Sequence, residues 1–156
     1  MTTTTERALD DTVSVDAIID ALYGVISGPP GERDYDRMRA LFRPGARFIP
    51  TDPLTEAHLG GEVLDPETFI DTIRPVLREQ PFYEVEVARR TERFGPVVHL
   101  MSTYESRESA DGEPFERGVN SIQLMYKDGR WWVLTIFWSI ETEQQPIPAE
   151  YLPEQK

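Results

Sequence analysis

The pattern of hydrophobic and polar positions changes once along the chain. Up to about residue 80, apolar residues recur at steps of three and four, which is typical of amphipathic helices. From Phe82 onward, apolar and polar residues alternate, which is typical of strands. Helices followed by strands predict an α+β fold, in which helices pack on one face of an antiparallel sheet.

Three helices are predicted in the first half, each bounded by capping or helix-breaking residues. They cover residues 13–27, 35–43 and 66–80. A short apolar run at 46–49 predicts an edge strand between the second and third helices. The segment at 51–64 is rich in Gly and Pro and is interpreted as a long loop.

The last third of the chain predicts a β-hairpin. Asp128-Gly129 suits a two-residue type I′ turn, because Gly accepts the positive φ angles that this turn needs and Asp tolerates them. The strand after the turn, Trp131 to Trp138, is apolar on both faces. A strand of this kind must be covered on each side, so this pattern predicts packing against both faces of the sheet.

Length and composition predict one soluble domain at 13–145, with a disordered N-terminus at 1–12 and an extended, proline-rich tail at 146–156. The net charge of -12 argues against nucleic acid and anionic membranes as partners, since both are negatively charged. The chain has no Cys, and no apolar run approaches the roughly 20 residues of a membrane span. A cytoplasmic location is the default expectation.

Two segments of the chain resemble a known superfamily. RGVNSIQLMYKDGRWWVLTIFW at 117–138, followed by PIPAEYL at 146–152, is similar to small bacterial proteins of the nuclear transport factor 2-like superfamily, near its SnoaL-like and ketosteroid-isomerase-like branches. The resemblance implies a cone-shaped, curved sheet wrapped against three N-terminal helices, with a ligand-sized cavity between them. It also implies a homodimer through the outer face of the sheet. The superfamily contains enzymes and binding domains, so the resemblance argues fold more strongly than function.

Register arithmetic then assigns side chains to the two faces of the sheet. If Lys127 pairs with Arg130, and a similar turn lies at Asp111-Gly112, one face is mostly apolar and is interpreted as the cavity side. Its polar residues are His99, Thr103, Asn120 and Thr135. The opposite face is interpreted as the dimer interface, with Tyr104, Gln123, Trp132 and Trp138. One bulge would invert this assignment, because it would turn every following side chain to the other face.

The candidate catalytic residues are His99, whose imidazole titrates near neutral pH, and Asp52, the first acidic residue after the short strand. The candidate ligand-binding residues are Tyr23, Tyr35, His58, His99, Thr103, Asn120 and Thr135. Each has a structural alternative, such as a core tyrosine or a solvated loop histidine. No metal constellation or phosphate loop is present, so no cofactor is predicted.

Three functions remain open. The first is a small-molecule-binding protein whose cavity takes a hydrophobic ligand. The second is a cofactor-independent isomerase, dehydratase or cyclase that acts on a hydrophobic substrate. The third is a protein-interaction module that uses the exposed sheet face or the tail at 146–152.

Overall fold

The computed structural model describes residues 3–56 and 58–154 of the chain. Its helices are α1 (Thr4–Asp11), α2 (Val15–Ile26), α3 (Tyr35–Arg39) and α4 (Pro66–Glu79), and a 3₁₀ turn follows at Ala149–Tyr151. Its strands are β1 (Phe42–Pro50), β2 (Tyr83–Phe94), β3 (Val97–Arg107), β4 (Pro114–Lys127) and β5 (Arg130–Ile140). The predicted α+β fold is confirmed.

Side-chain caps explain where the helices begin. Ser14 and Asp65 accept hydrogen bonds from backbone amides three residues ahead, at 3.0 and 2.7 Å, and Pro66 occupies the first position of α4. The N-terminal segment, which was predicted to be disordered, contains α1. Its signal is a capping box, in which Thr3 and Glu6 each accept a hydrogen bond from the other's backbone amide. Met1 and Thr2 lie outside the described residues.

The five strands form one sheet in the order β1-β5-β4-β3-β2. All pairs are antiparallel except β1 with β5, which is parallel, so the sheet is mixed rather than purely antiparallel. The predicted second helix is too long, since α3 ends at Arg39 and β1 already begins at Phe42. The Pro44-Gly45 pair, which directly follows the predicted helix at 35–43, lies in an irregular part of β1, between the paired residues Phe42 and Arg47.

The β4–β5 hairpin has the predicted turn but not the predicted register. Asp128 and Gly129 both have positive φ angles, of 55° and 78°, and Lys127 pairs with Arg130 as expected. A bulge follows, because Leu134 is an extra residue on β5 between the pairs Leu124–Val133 and Gln123–Thr135. Beyond it, Asn120 faces Trp138 rather than Phe137.

The turn before β4 also differs from the prediction. The connection at 108–113 is longer than two residues, and the β3–β4 register shifts between Ser106 and Arg107. Ser102, rather than Thr103, therefore lies opposite Asn120. Together, the two shifts reverse the predicted faces for all of β3 and for the far half of β5.

The core lies between the helices and the face of the sheet that we call the inner face. Its most buried side chains come from both layers: Ile18, Ile19, Ile70, Leu100, Ile122, Leu124 and Val133. The tail after β5 lies against the opposite, outer face, where Ile147 is buried and Thr103 donates a hydrogen bond to the Tyr151 carbonyl at 2.5 Å. No helix in the described part of the chain is long and apolar enough to span a membrane.

Candidate functional site

A pocket of about 290 Å³ lies between the inner face and the helices. Its apolar walls come from α2, β1, α4 and β5. In one wall, the rings of Phe48 and Phe69 stack at 4.0 Å, and Trp138 meets both rings edge-on. Polar side chains of the sheet line the other side of the pocket: Glu84, Tyr104, Ser106, Glu116 and Asn120. An apolar pocket with a few polar groups on one side is typical of small-molecule sites.

The two glutamates of the pocket lining flank a serine in one row of the sheet. Glu84 on β2 pairs with Ser106 on β3, and Ser106 pairs with Glu116 on β4. All three line the pocket. Ser106 is 1% exposed, and its hydroxyl group has no hydrogen-bond partner. Within the described residues, neither glutamate forms an ion pair.

The electrostatic environment of this row favours protonated carboxyl groups. Burial raises the pKa of Glu84 to about 7; the Asn120 amide opposes this rise, and the charge of Glu116 adds to it. Burial also raises the pKa of Glu116, with a further contribution from Asp52. Glu84 can therefore gain or lose a proton near neutral pH.

Tyr104 presents the hydroxyl group that is best placed to meet a ligand. Its side chain is 3% exposed and lines the pocket one row from Ser106. No described side chain donates a hydrogen bond to this hydroxyl or accepts one from it. Burial and the nearby charge of Glu84 raise the pKa of Tyr104 above its usual value, so the hydroxyl stays protonated and can donate.

A second tyrosine, Tyr23 on α2, is held in a chain of hydrogen bonds. Ser102 donates to the carboxylate of Glu86, so its oxygen is left to accept from the Tyr23 hydroxyl at 2.6 Å. The Tyr23 oxygen in turn accepts from the Asn120 amide at 3.0 Å. Arg89 completes the chain by donating to Glu86 at 2.7 Å. The Tyr23 proton is thus already committed, and this network fixes α2 to the sheet.

Three residues predicted for the cavity lie on the outer face instead. His99 contacts Ser121 there, with Nε2 and Oγ 2.9 Å apart, and Thr103 bonds to the tail. Thr135 pairs with Gln123 on the same side. The physical reason is the register, since the bulge at Leu134 and the longer β3–β4 connection each shift the pairing by one residue.

The same shifts correct the predicted interface. Tyr104 and Trp138, which were assigned to the dimer contact, line the pocket. Gln123 is exposed on the outer face. Trp132 is also on that face, with the guanidinium group of Arg130 3.6 Å from its ring centre.

The remaining candidates divide between the pocket and its surroundings. Tyr23 and Asn120 line the pocket. Asp52 lies beside it and accepts a hydrogen bond from the Ile140 amide at 2.8 Å. His58 contacts Glu62 at 3.3 Å in the loop after β1, and Tyr35 is buried beneath Arg74, so neither lines the pocket.

Sequence reasoning missed Glu84 and Glu116. The alternation from Phe82 onward predicts a strand, and a strand with one acidic side usually turns that side to solvent. β2 is an edge strand, yet Glu84 faces the pocket. Alternation separates two faces without saying which one is inside, so only the long-range pairing reveals the row. In the described part of the chain, no group of three or more His, Cys, Asp or Glu side chains is arranged to hold a metal.

No protein-family model matches the sequence, and no curated protein matches it. Solved structures do match its fold. A protein of unknown function with a cystatin-like fold from Nostoc punctiforme has a TM-score of 0.62 and 8% identity, covering 83% of this chain and 90% of its own.

Two further structures carry more specific descriptions. A nuclear transport factor 2-like protein of unknown function from Silicibacter pomeroyi has a TM-score of 0.51 and 16% identity, over 89% of this chain and 99% of its own. IdmH from Streptomyces antibioticus, a "putative polyketide cyclase", has a TM-score of 0.50 and 14% identity, over 81% and 91%. At these identities the likeness concerns the fold alone. The chain has the nuclear transport factor 2-like fold, as its last two strands implied.

Proposed function

We propose that this protein binds a small, mostly apolar molecule in the pocket between the helices and the inner face. The observation that carries this proposal is the pocket itself, of about 290 Å³, with aromatic walls on one side and a row of polar groups on the other. This volume is close to the lower end of the range of about 300–1,000 Å³ that is usual for small-molecule pockets. A two-ring aromatic compound is of suitable size.

Titration with 2-naphthol, a neutral two-ring probe, tests the proposal by nuclear magnetic resonance. We expect chemical-shift changes at residues of the pocket, including Trp138 and Ser106. Ile73→Trp places a larger side chain in the pocket wall and should abolish these changes, whereas Val97→Trp, at a position that is 62% exposed, should not. His58→Ala and His99→Ala should leave binding intact, because neither residue lines the pocket. Shifts confined to the outer face would contradict the proposal.

A second candidate is a cofactor-independent isomerase, dehydratase or cyclase, and Glu84 is the observation that favours it. A carboxyl group with a pKa of about 7 can remove a proton from a substrate and return it near neutral pH. The free hydroxyl of Tyr104 can donate a hydrogen bond to a carbonyl oxygen, which stabilises the negative charge that forms there. His99 and Asp52 do not line the pocket, so Glu84 replaces them as the acid–base candidate.

Proton exchange at the carbon beside the carbonyl group of 2-tetralone, followed in D₂O, tests this second candidate. Catalysed exchange that is lost in Glu84→Gln and kept in Glu92→Gln, an exposed control on the same strand, would support it. Tyr104→Phe should slow the exchange. Equal exchange rates with and without protein would contradict catalysed proton transfer for this class of ketone. Ligand binding is tested separately by the titration with 2-naphthol.

The homodimer is also a proposal, and it concerns the outer face rather than the pocket. That face carries exposed apolar side chains, including Phe137, which is 45% exposed. The tail, which was considered as a docking segment for another protein, is itself packed on this face through Ile147. A second copy of the chain is therefore the partner that we propose.

A further inference from the structure

We propose that the ligand of the pocket carries a primary amine, whose ammonium group lies above Ser106 between Glu84 and Glu116. This inference rests on the proposed binding function and names its ligand class. It also commits the pocket to one orientation of the ligand, with the cation at the sheet and the apolar body against the aromatic wall.

The charge of the pocket is the first argument. Its lining contains two glutamates and no Arg or Lys. Carboxylates in a half-buried apolar setting are costly unless a cation offsets them. Elsewhere in this chain Arg supplies that cation, as with Asp11 and Arg37 at 2.8 Å, but the described residues supply none to Glu84 or Glu116. A cationic ligand would complete the site, whereas an anionic one would be repelled.

The geometry of the row is the second argument. Adjacent strands lie about 4.8 Å apart, so the backbones at Glu84 and Glu116 are separated by about 10 Å, with Ser106 between them. A group that lies above the serine is therefore flanked by both glutamates. The Ser106 hydroxyl is buried, lines the pocket and lacks a partner. A primary ammonium has three N–H donors. The row offers three acceptor side chains, namely the two carboxylates and the Ser106 hydroxyl.

The aromatic wall of the pocket suits the apolar body of an amine ligand. The ring cluster of Phe48, Phe69 and Trp138 lies in the same pocket as the row. The faces of aromatic rings also attract cations, so the aromatic wall is compatible with a positively charged ligand. An aromatic ring joined to an ammonium group by a short chain fits both ends of the pocket.

Three probes that share an indole ring test this inference by isothermal titration calorimetry at pH 8. They are tryptamine, tryptophol and indole-3-propionate, which carry a cation, a neutral hydroxyl group and an anion. We expect tryptamine to bind at least tenfold more tightly than tryptophol, and indole-3-propionate to bind most weakly. This comparison needs only the wild-type protein, so it does not depend on a variant that folds.

Variants then locate the cation. Glu84→Gln and Glu116→Gln should each weaken tryptamine binding about tenfold and leave tryptophol binding unchanged. Glu92→Gln removes the same charge from an exposed position and should change neither. Equal affinities for tryptamine and tryptophol would overturn the amine inference and leave the proposed binding function standing. An equal loss of tryptamine affinity in Glu92→Gln would also overturn the amine inference, since the selectivity would then come from the overall charge of the protein. Binding of none of the three probes would contradict both proposals.

Discussion

The Tyr104 hydroxyl lies directly over Gly118, so a β-carbon at residue 118 would clash with it. The same β-carbon would lie 2.7 Å from the backbone carbonyl oxygen of Ser139. Neither neighbour can move easily, because Tyr104 is 3% exposed and the carbonyl belongs to the sheet backbone. The missing side chain at residue 118 is what allows the tyrosine to reach the pocket.

Gly118→Ala should therefore destabilise the protein by about 1–3 kcal/mol, which is the usual cost of overpacking a core. Urea denaturation measures this change. Gly24→Ala is the matched control, because a β-carbon there meets nothing within 4 Å and Ala favours the helix. It should stabilise the protein by up to about 1 kcal/mol. A change of the same sign at both glycines would contradict the close approach described for Tyr104.

Glu84→Gln should make stability less dependent on pH. The pKa of Glu84 is about 7 when folded, against an ordinary value of 4.5, so between these pH values the folded state holds a proton that the unfolded state has lost. The free energy of unfolding of the wild type should consequently fall as pH rises from 4.5 to 7. The glutamine variant keeps the neutral form and avoids this loss.

The stability gained in Glu84→Gln should be near zero below pH 4.5 and reach at most about 3 kcal/mol above pH 7. Denaturation at a series of pH values measures it, with Glu92→Gln as the exposed control. A gain that is as large at pH 4 as at pH 8 would show that packing, rather than the buried charge, causes the difference.

Local signals explain most of what the sequence predicts correctly. The cap at Asp65, the helix-breaking segment Gly28-Pro29-Pro30-Gly31 after α2 and the Asp128-Gly129 turn each act within a few residues. Their effects can therefore be predicted without tertiary contacts. The capping box at Thr3 and Glu6 is equally local, and it marks the start of α1, a helix that is absent from the sequence prediction.

Long-range pairing explains the errors. Nothing near Leu134 marks it as the bulged residue, yet this one insertion turns Trp138 toward the pocket and Phe137 toward the outer face. The row of Glu84, Ser106 and Glu116 requires the register of three strands at once. The parallel pairing of β1 with β5 likewise joins distant parts of the chain.

Tyr23→Phe should destabilise the protein by about 1–3 kcal/mol, because it leaves two buried groups, the Asn120 amide and the Ser102 oxygen, without their shared partner. Urea denaturation measures the loss. Tyr126→Phe, at a position that is 44% exposed, removes a hydroxyl without this role and should change stability by less than about 0.5 kcal/mol. If the two variants lose equal stability, the hydroxyl of Tyr23 does not link α2 to the sheet.

Sedimentation velocity should find a homodimer that Phe137→Glu converts to a monomer, because a charge would enter an apolar contact on the outer face. Trp132→Glu should weaken the dimer in the same way. Phe94→Glu is the control, since Phe94 is 86% exposed at the end of β2, the edge strand farthest from β5 in the sheet. A dimer that survives both outer-face variants would place the interface elsewhere.

Glu141→Gln should loosen the tail from the outer face. The Glu141 carboxylate accepts hydrogen bonds from Arg117 at 2.9 Å and from the Ile147 amide at 2.9 Å, and these bonds lower its pKa, the backbone bond most strongly. Because the folded pKa is lowered, the stabilisation by the carboxylate is complete above the unfolded pKa and is lost as pH falls through the folded pKa.

The Ile147 amide of the wild type should therefore be protected from hydrogen exchange at neutral pH and lose protection in acid. Protection factors correct these rates for the intrinsic effect of pH. The glutamine variant should show weak protection throughout, whereas Glu143→Gln, an exposed neighbour, should behave like the wild type. Protection that is identical in both variants would mean that Ile147 is held by burial alone and that the carboxylate does not anchor the tail.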